Sequence, residues 1–162
     1  MEYIELNELQ KNAIKELQKK VFDFLDKNSL RFDKNIVNTK IEINSNINTL
    51  DLSIISKLMS ENLIEINKLT EQYSVLNIIV EYLKVLKDNF IVNFRKKIKS
   101  EKEKITNAEI ERMMETNEYY FAIKYLVFLY RDVYLSRINY LLEIAKSYKE
   151  LLSREITIRS IK

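Results

Sequence analysis

Eight cationic side chains crowd residues 84–104: Lys84, Lys87, Arg95, Lys96, Lys97, Lys99, Lys102 and Lys104, against three carboxylates, a local net charge of +5. Residues 1–83 carry 10 Lys/Arg against 13 Asp/Glu, and residues 105–162 carry 9 against 8, so the positive field is concentrated mid-chain. Cations repeated along one element can neutralise successive phosphates of a polyanion, and a single strand also needs aromatic rings on which bases stack. Lys84, Lys87, Arg95, Lys96, Lys97 and Lys99 are the candidate contacts. The plain alternative is a solvated helix end whose cations complement the C-terminal dipole. Abundant lysine in a chain rich in Ile, Lys and Asn, residues with AT-rich codons, strengthens that alternative. Phe90 and Phe94 flank the patch at helical spacing, which reads first as core. Most of the tyrosines between Tyr119 and Tyr148 fall on apolar stripes; Tyr119 and Tyr140 lie off the main one.

Enzymatic chemistry is poorly supplied. His and Cys are absent, which excludes Ser-His-Asp and Cys-His nucleophile systems and His/Cys zinc sites. Gly is absent, which excludes P-loops and dinucleotide loops, where the backbone must approach phosphate closely. No Asp or Glu precedes a Lys by two residues, so the common Asp/Glu-x-Lys nuclease element is missing. Glu109, Glu111 and Glu115 gather near a helix start, where acids suit the positive dipole end. A non-enzymatic protein without metal or cofactor is expected.

The elements that must position these residues read as helices. With neither Gly nor Pro, the usual punctuation of strands and tight turns is gone, and Asn is expected at helix ends. Leu6, Leu9, Ala13, Leu17, Val21 and Phe24 predict a helix from about Tyr3 to Lys27. Val37, Thr39, Ile41, Ile43 and Ile47 alternate, predicting a small β-hairpin within residues 30–48. Thr49 or Asp51 caps a short helix to about Asn67, and Leu69, Tyr73, Leu76, Val80, Leu83, Phe90, Phe94 and Ile98 stripe a longer one. "TNAE", Thr106 to Glu109, is a capping box that opens the last helix. The tail "REITIRSIK" returns to alternation and is ambiguous. The expected fold is therefore mainly all-α: a long antiparallel helical hairpin with shorter N-terminal helices, residues 1–50 forming an N-terminal segment and 51–162 the helical domain. No window approaches ~18 apolar residues, and the N-terminus lacks a basic run leading into an apolar core, so a cytoplasmic protein is expected.

The last helix is apolar on most sides. Tyr120, Ile123, Val127 and Tyr130 form one stripe, and Phe121, Tyr125, Phe128, Leu135 and Leu142 form a second. One partner cannot cover such a helix, which predicts a homo-oligomer with Phe121, Tyr125, Phe128, Leu135 and Leu142 at the interface.

The order of a short helix, a long helix, a basic connection, a "T-x-x-E-I" helix start and a terminus "LLSREITIRSI" resembles the phage recombination mediators of the UvsY type. "DLSIISKLMSENLIEINKLTEQYSVL" is similar to that family's early helices, and Arg154, Ile156, Ile158, Arg159 and Ile161 stand where its terminal Arg-x-aromatic-x-Ile/Leu-Lys-like segment lies. The family's Lys-x-Arg pair has its nearest counterparts in Arg95, Lys96 and Lys97, its terminal glycine is Glu155 here, and residues 1–48 have no counterpart. The resemblance, over residues 50–162, implies a ring-like homo-oligomer that binds single-stranded DNA, with Arg154 and Arg159 added to the contacts. It further implies loading of a RecA-like recombinase onto strands covered by single-strand-binding protein, in a host cytoplasm if phage-encoded. The rival expectation is a helical structural, adaptor or inhibitor protein acting through protein contacts.

Overall fold

A computed structural model describes residues 6–102 and 104–161. The described chain is mainly helical and contains no strand. Five α-helices, α1 (Glu8–Lys27), α2 (Leu52–Glu101), α3 (Asn107–Glu115), α4 (Glu118–Phe128) and α5 (Ser136–Ser160), are joined by 3-10 turns at Lys34–Asn38 and Ile47–Thr49 and a π-helical stretch at Leu129–Leu135. No helix among the described residues is long and apolar enough to cross a membrane.

The two helices expected on either side of Asn67 are one. Ile55, Asn62, Leu69, Leu76 and Leu83 are buried at intervals of seven residues, with Phe90 half-buried next in the series. That single heptad register passes residue 67 without a phase change, and nothing there breaks a helix. The last helix, in contrast, is divided. Asn117 caps α4, its Oδ1 accepting from the N–H groups of Tyr119 (3.0 Å) and Tyr120 (3.1 Å). Beyond it, Leu126, Tyr130, Tyr134 and Ile138 are buried or half-buried at three successive spacings of four. At 3.6 residues per turn each such step drifts about 40° around the helix. The wider turns of the π stretch absorb that drift.

The chain forms two compact units, Met1–Arg31 with Leu76–Val133, and Phe32–Val75 with Tyr134–Lys162. In the first, α1 packs on α4, and Phe24 stacks on Tyr82 with centroids 4.1 Å apart. α1 starts later than its stripe implies, at a capping box of Asn7 and Gln10, and Tyr3 lies outside the described residues. It closes at Ser29, whose φ of 56° is a left-handed position that glycine usually fills and that this chain must assign otherwise. The Thr106–Glu109 capping box forms as expected: Glu109 Oε2 accepts from Thr106 N–H at 2.9 Å, and Thr106 Oγ1 accepts from Glu109 N–H at 3.3 Å. The bond from Thr106 N–H, then that from its hydroxyl, holds the Glu109 carboxyl below its ordinary pKa. This contribution is present above the usual Glu range and fades as pH falls through the lowered value.

In the second unit, residues 32–50 are not the expected β-hairpin. Their backbone groups meet helix side chains instead of a strand partner. Asp33 N–H donates to buried Gln72 (2.9 Å), Asn44 N–H donates to the Tyr148 hydroxyl (3.3 Å), and Arg137 donates to the carbonyls of Val37 (3.2 Å) and Thr39 (3.5 Å). Ile47 joins Ile55, Tyr148 and Leu152 in a buried cluster. Of the isoleucines at alternate positions only Ile47 is buried, Ile41 is half-buried and Ile43 is exposed. Asn62, buried on the heptad seam, donates to the Ala145 carbonyl at 2.8 Å, which fixes the register of α5 on α2.

Arg159 closes this unit. Its guanidinium donates to the carbonyls of Leu50, Ile47 (3.3 Å) and Asn48 (2.9 Å) and pairs with Glu155 at 2.8 Å. Charge-assisted bonds from a half-buried donor are costly to remove, so Arg159→Ala is expected to destabilise the protein by about 2–3 kcal/mol in urea unfolding. Arg159→Lys should recover little, because an ammonium cannot span three carbonyls as the planar fork does.

Candidate nucleic-acid interface

The basic run of α2 does not form one face. At about 100° per residue, its cations are distributed around the helix and enter different surroundings. Lys84 and Lys87 open on a groove of about 490 Å³ in the first unit, also lined by Asp88, Lys124, Val127, Phe128, Arg131 and Asp132. Phe128, expected at a subunit interface, is 51% exposed here and sits among four cations. Lys97 lies on another side of α2, in a second groove of about 500 Å³ with Phe90, Phe94 and Tyr119. Arg95 reaches Glu111 at 3.5 Å, while Lys96 and Lys99 point to solvent.

The first groove is the more cationic. Lys84 is held by Glu81 one turn back, Lys124 by Glu115 at 2.8 Å and Arg131 by Asp132 at 2.9 Å; half-buried Lys87 has no ion pair among the described residues. The hydrogen bond from Arg131 lowers the Asp132 pKa and raises that of Arg131, so this pair stays ionised across the neutral range. These pairs lie at the surface, where solvent screens them and a competing phosphate can replace the carboxylate. Lys124 and Arg131 are absent from the sequence-based set. Their signal was the spacing Lys124, Phe128, Arg131 (i, i+4, i+7), which puts two cations and a ring on one helical face. It is hidden where attention to the local charge run ends at residue 104.

The terminal arginines part company. Arg154 lines a groove of about 680 Å³ in the second unit with Lys146, Lys149, Glu150, Ser153 and Thr157, whereas Arg159 is consumed by the backbone of residues 47–50. Of the remaining expected interface residues, Phe121 and Tyr125 are half-buried and stack at 6.4 Å, Leu135 is half-buried, and Leu142 lies inside the second unit's core. Among the described residues no group of three or more acidic side chains could hold a metal ion. Comparison of the chain with protein-family models, with curated proteins and with solved structures found no match.

The groove cations lie at the surface and contribute little to folding. Lys84→Ala and Lys124→Ala should each change unfolding free energy by less than about 1 kcal/mol, as read by urea denaturation at moderate salt.

Proposed function

We propose that this protein binds single-stranded DNA without catalysing a reaction on it. The observation that carries the reading is the first groove, whose lining brings Lys84, Lys87, Lys124 and Arg131 together with the exposed Phe128 and outnumbers its two carboxylates, Asp88 and Asp132. Cations from two helices supply phosphate contacts that are independent of sequence, and a ring beside them can stack on a base only where bases are unpaired. The resemblance to the UvsY-type mediators supplies the setting: a ring-like homo-oligomer with antiparallel helical-hairpin packing, acting in the cytoplasm to load a RecA-like recombinase onto strands held by single-strand-binding protein. Repetition of a modest contact around such a ring raises affinity through effective concentration.

A second reading, a helical adaptor or inhibitor acting through protein contacts, is favoured by one observation. Ile78, Val85 and Val92 stand exposed at intervals of seven along α2 (38%, 55% and 50%). β-Branched residues weaken an exposed helix, so their regular placement suits a contact surface. In the mediator reading this stripe is a surface for self-association.

Fluorescence anisotropy with a labelled dT oligonucleotide over a salt series, alongside solution mass, separates the two. The mediator reading expects an oligomer whose log affinity falls with log salt by about 0.7 for each phosphate contacted. The triple charge reversal Lys84→Glu, Lys87→Glu, Lys124→Glu should weaken binding at least tenfold at low salt and flatten that slope. An oligomer that ignores DNA at low salt favours the adaptor; unchanged affinity in the triple variant removes this groove from the interface.

A further inference from the structure

We infer that the second groove of the first unit, between Phe94 and Tyr119, is a pocket for an unpaired base of the same DNA strand. The inference rests on the single-strand reading and assigns the groove a separate task.

Phe90 is the centre of an aromatic cluster, with ring centroids 5.4 Å from Phe94, 5.5 Å from Tyr119 and 5.8 Å from Tyr120. Its neighbours occupy it. Phe94 ends the row, with Phe90 as its ring contact and a place on the groove wall, so it is the ring with a face to offer. Tyr119, on the same groove lining, is held by Lys20, whose Nζ stands 4.9 Å over the ring and donates to its hydroxyl at 3.2 Å. The wall between carries Asn89 and Asn93, whose amides present both donors and acceptors, as base edges require.

Charge decides between a base and a phosphate here. Lys97 pairs with Glu101 one turn further along α2 at 3.9 Å, so this lining has no net charge, whereas the first groove sets four cations against two carboxylates; a phosphate here would meet a carboxylate with no surplus cation. An uncharged, flat, hydrogen-bonding ring meets no such penalty. The cationic groove begins on the same turn of α2: Lys87 and Asp88 line one, Leu86, Asn89 and Phe90 the other. Phosphates on one side and a base on the other match the alternation of a single strand.

The test compares the protein's affinity for a dT oligonucleotide with that for an abasic strand of equal length and charge. Stacking predicts at least about fivefold weaker binding of the abasic strand. A strand carrying 2-aminopurine should be quenched on binding. Phe94→Leu, with helicity and unfolding checked, should lose that quenching and about fivefold in affinity while keeping the salt slope. Equal affinity for intact and abasic strands overturns the base pocket and leaves the phosphate groove standing. Failure to bind either strand at low salt overturns both. If Phe94→Leu does not fold, the comparison of strands decides alone.

Discussion

The heptad seam of α2 is the constraint on which the rest depends. Ile55, Asn62, Leu69, Leu76 and Leu83 are buried along one line, and each compact unit is assembled on its own part of it. Gln72, Val75, Ile79, Val80 and Ile98 widen that line to a buried face, and the rest of the circumference is free for other work. On the first unit that circumference carries Lys84, Arg95 and Lys99, the exposed stripe of Ile78, Val85 and Val92, and the entries to both grooves. Asn62 gives the seam a fixed register, since its buried amide needs the Ala145 carbonyl and a slip would leave it unsatisfied. The surface side chains of α2 are thereby held by packing, at positions that their own charge would never define.

Much of this was legible in the residues. Helical stripes and the lack of glycine and proline gave the all-α class, and Thr106 with Glu109 marked a helix start that forms as read. Two boundaries were not legible. Asn117 was hidden because "ETNEYY" lies inside a run of apolar spacing, where only the capping bonds to Tyr119 and Tyr120 reveal the break. The π stretch was hidden because spacing by fours also occurs in ordinary helices. Reading α4, the π stretch and α5 as one helix exaggerated its apolar girth: Leu142, assigned to an outer stripe, is inside a unit once the register shifts. Residues 32–50 misled for a different reason. Alternation of isoleucines mimics a strand, while the decisive partners, Arg137, Tyr148 and Arg159, lie about a hundred residues away.

The candidate site was legible by half. Local charge density pointed to α2 and included Lys84 and Lys87, but counted with them Lys97, which lines a different groove, while Arg159 entered through the resemblance. Charge density along a chain records neighbours in sequence, and a helix turns those neighbours to different sides. What it cannot record is the second helix that completes a groove. Lys124 and Arg131 come from α4 and the π stretch, in a region of net charge near zero.

That placement also answers the objection from composition. AT-rich codons raise the number of lysines without choosing where they stand, so abundance alone predicts cations spread over every exposed face, each solvated. It does not predict that an exposed phenylalanine will share a groove with cations from separate elements, or that the groove of no net charge beside it will be walled by aromatic rings and amides. Nor does it predict an arginine, whose codons are not uniformly AT-rich, at the position one helical turn beyond that phenylalanine. A phosphate-and-base division between adjacent grooves asks for this arrangement, because a strand alternates charge and ring along its length and a surface that follows it must alternate too.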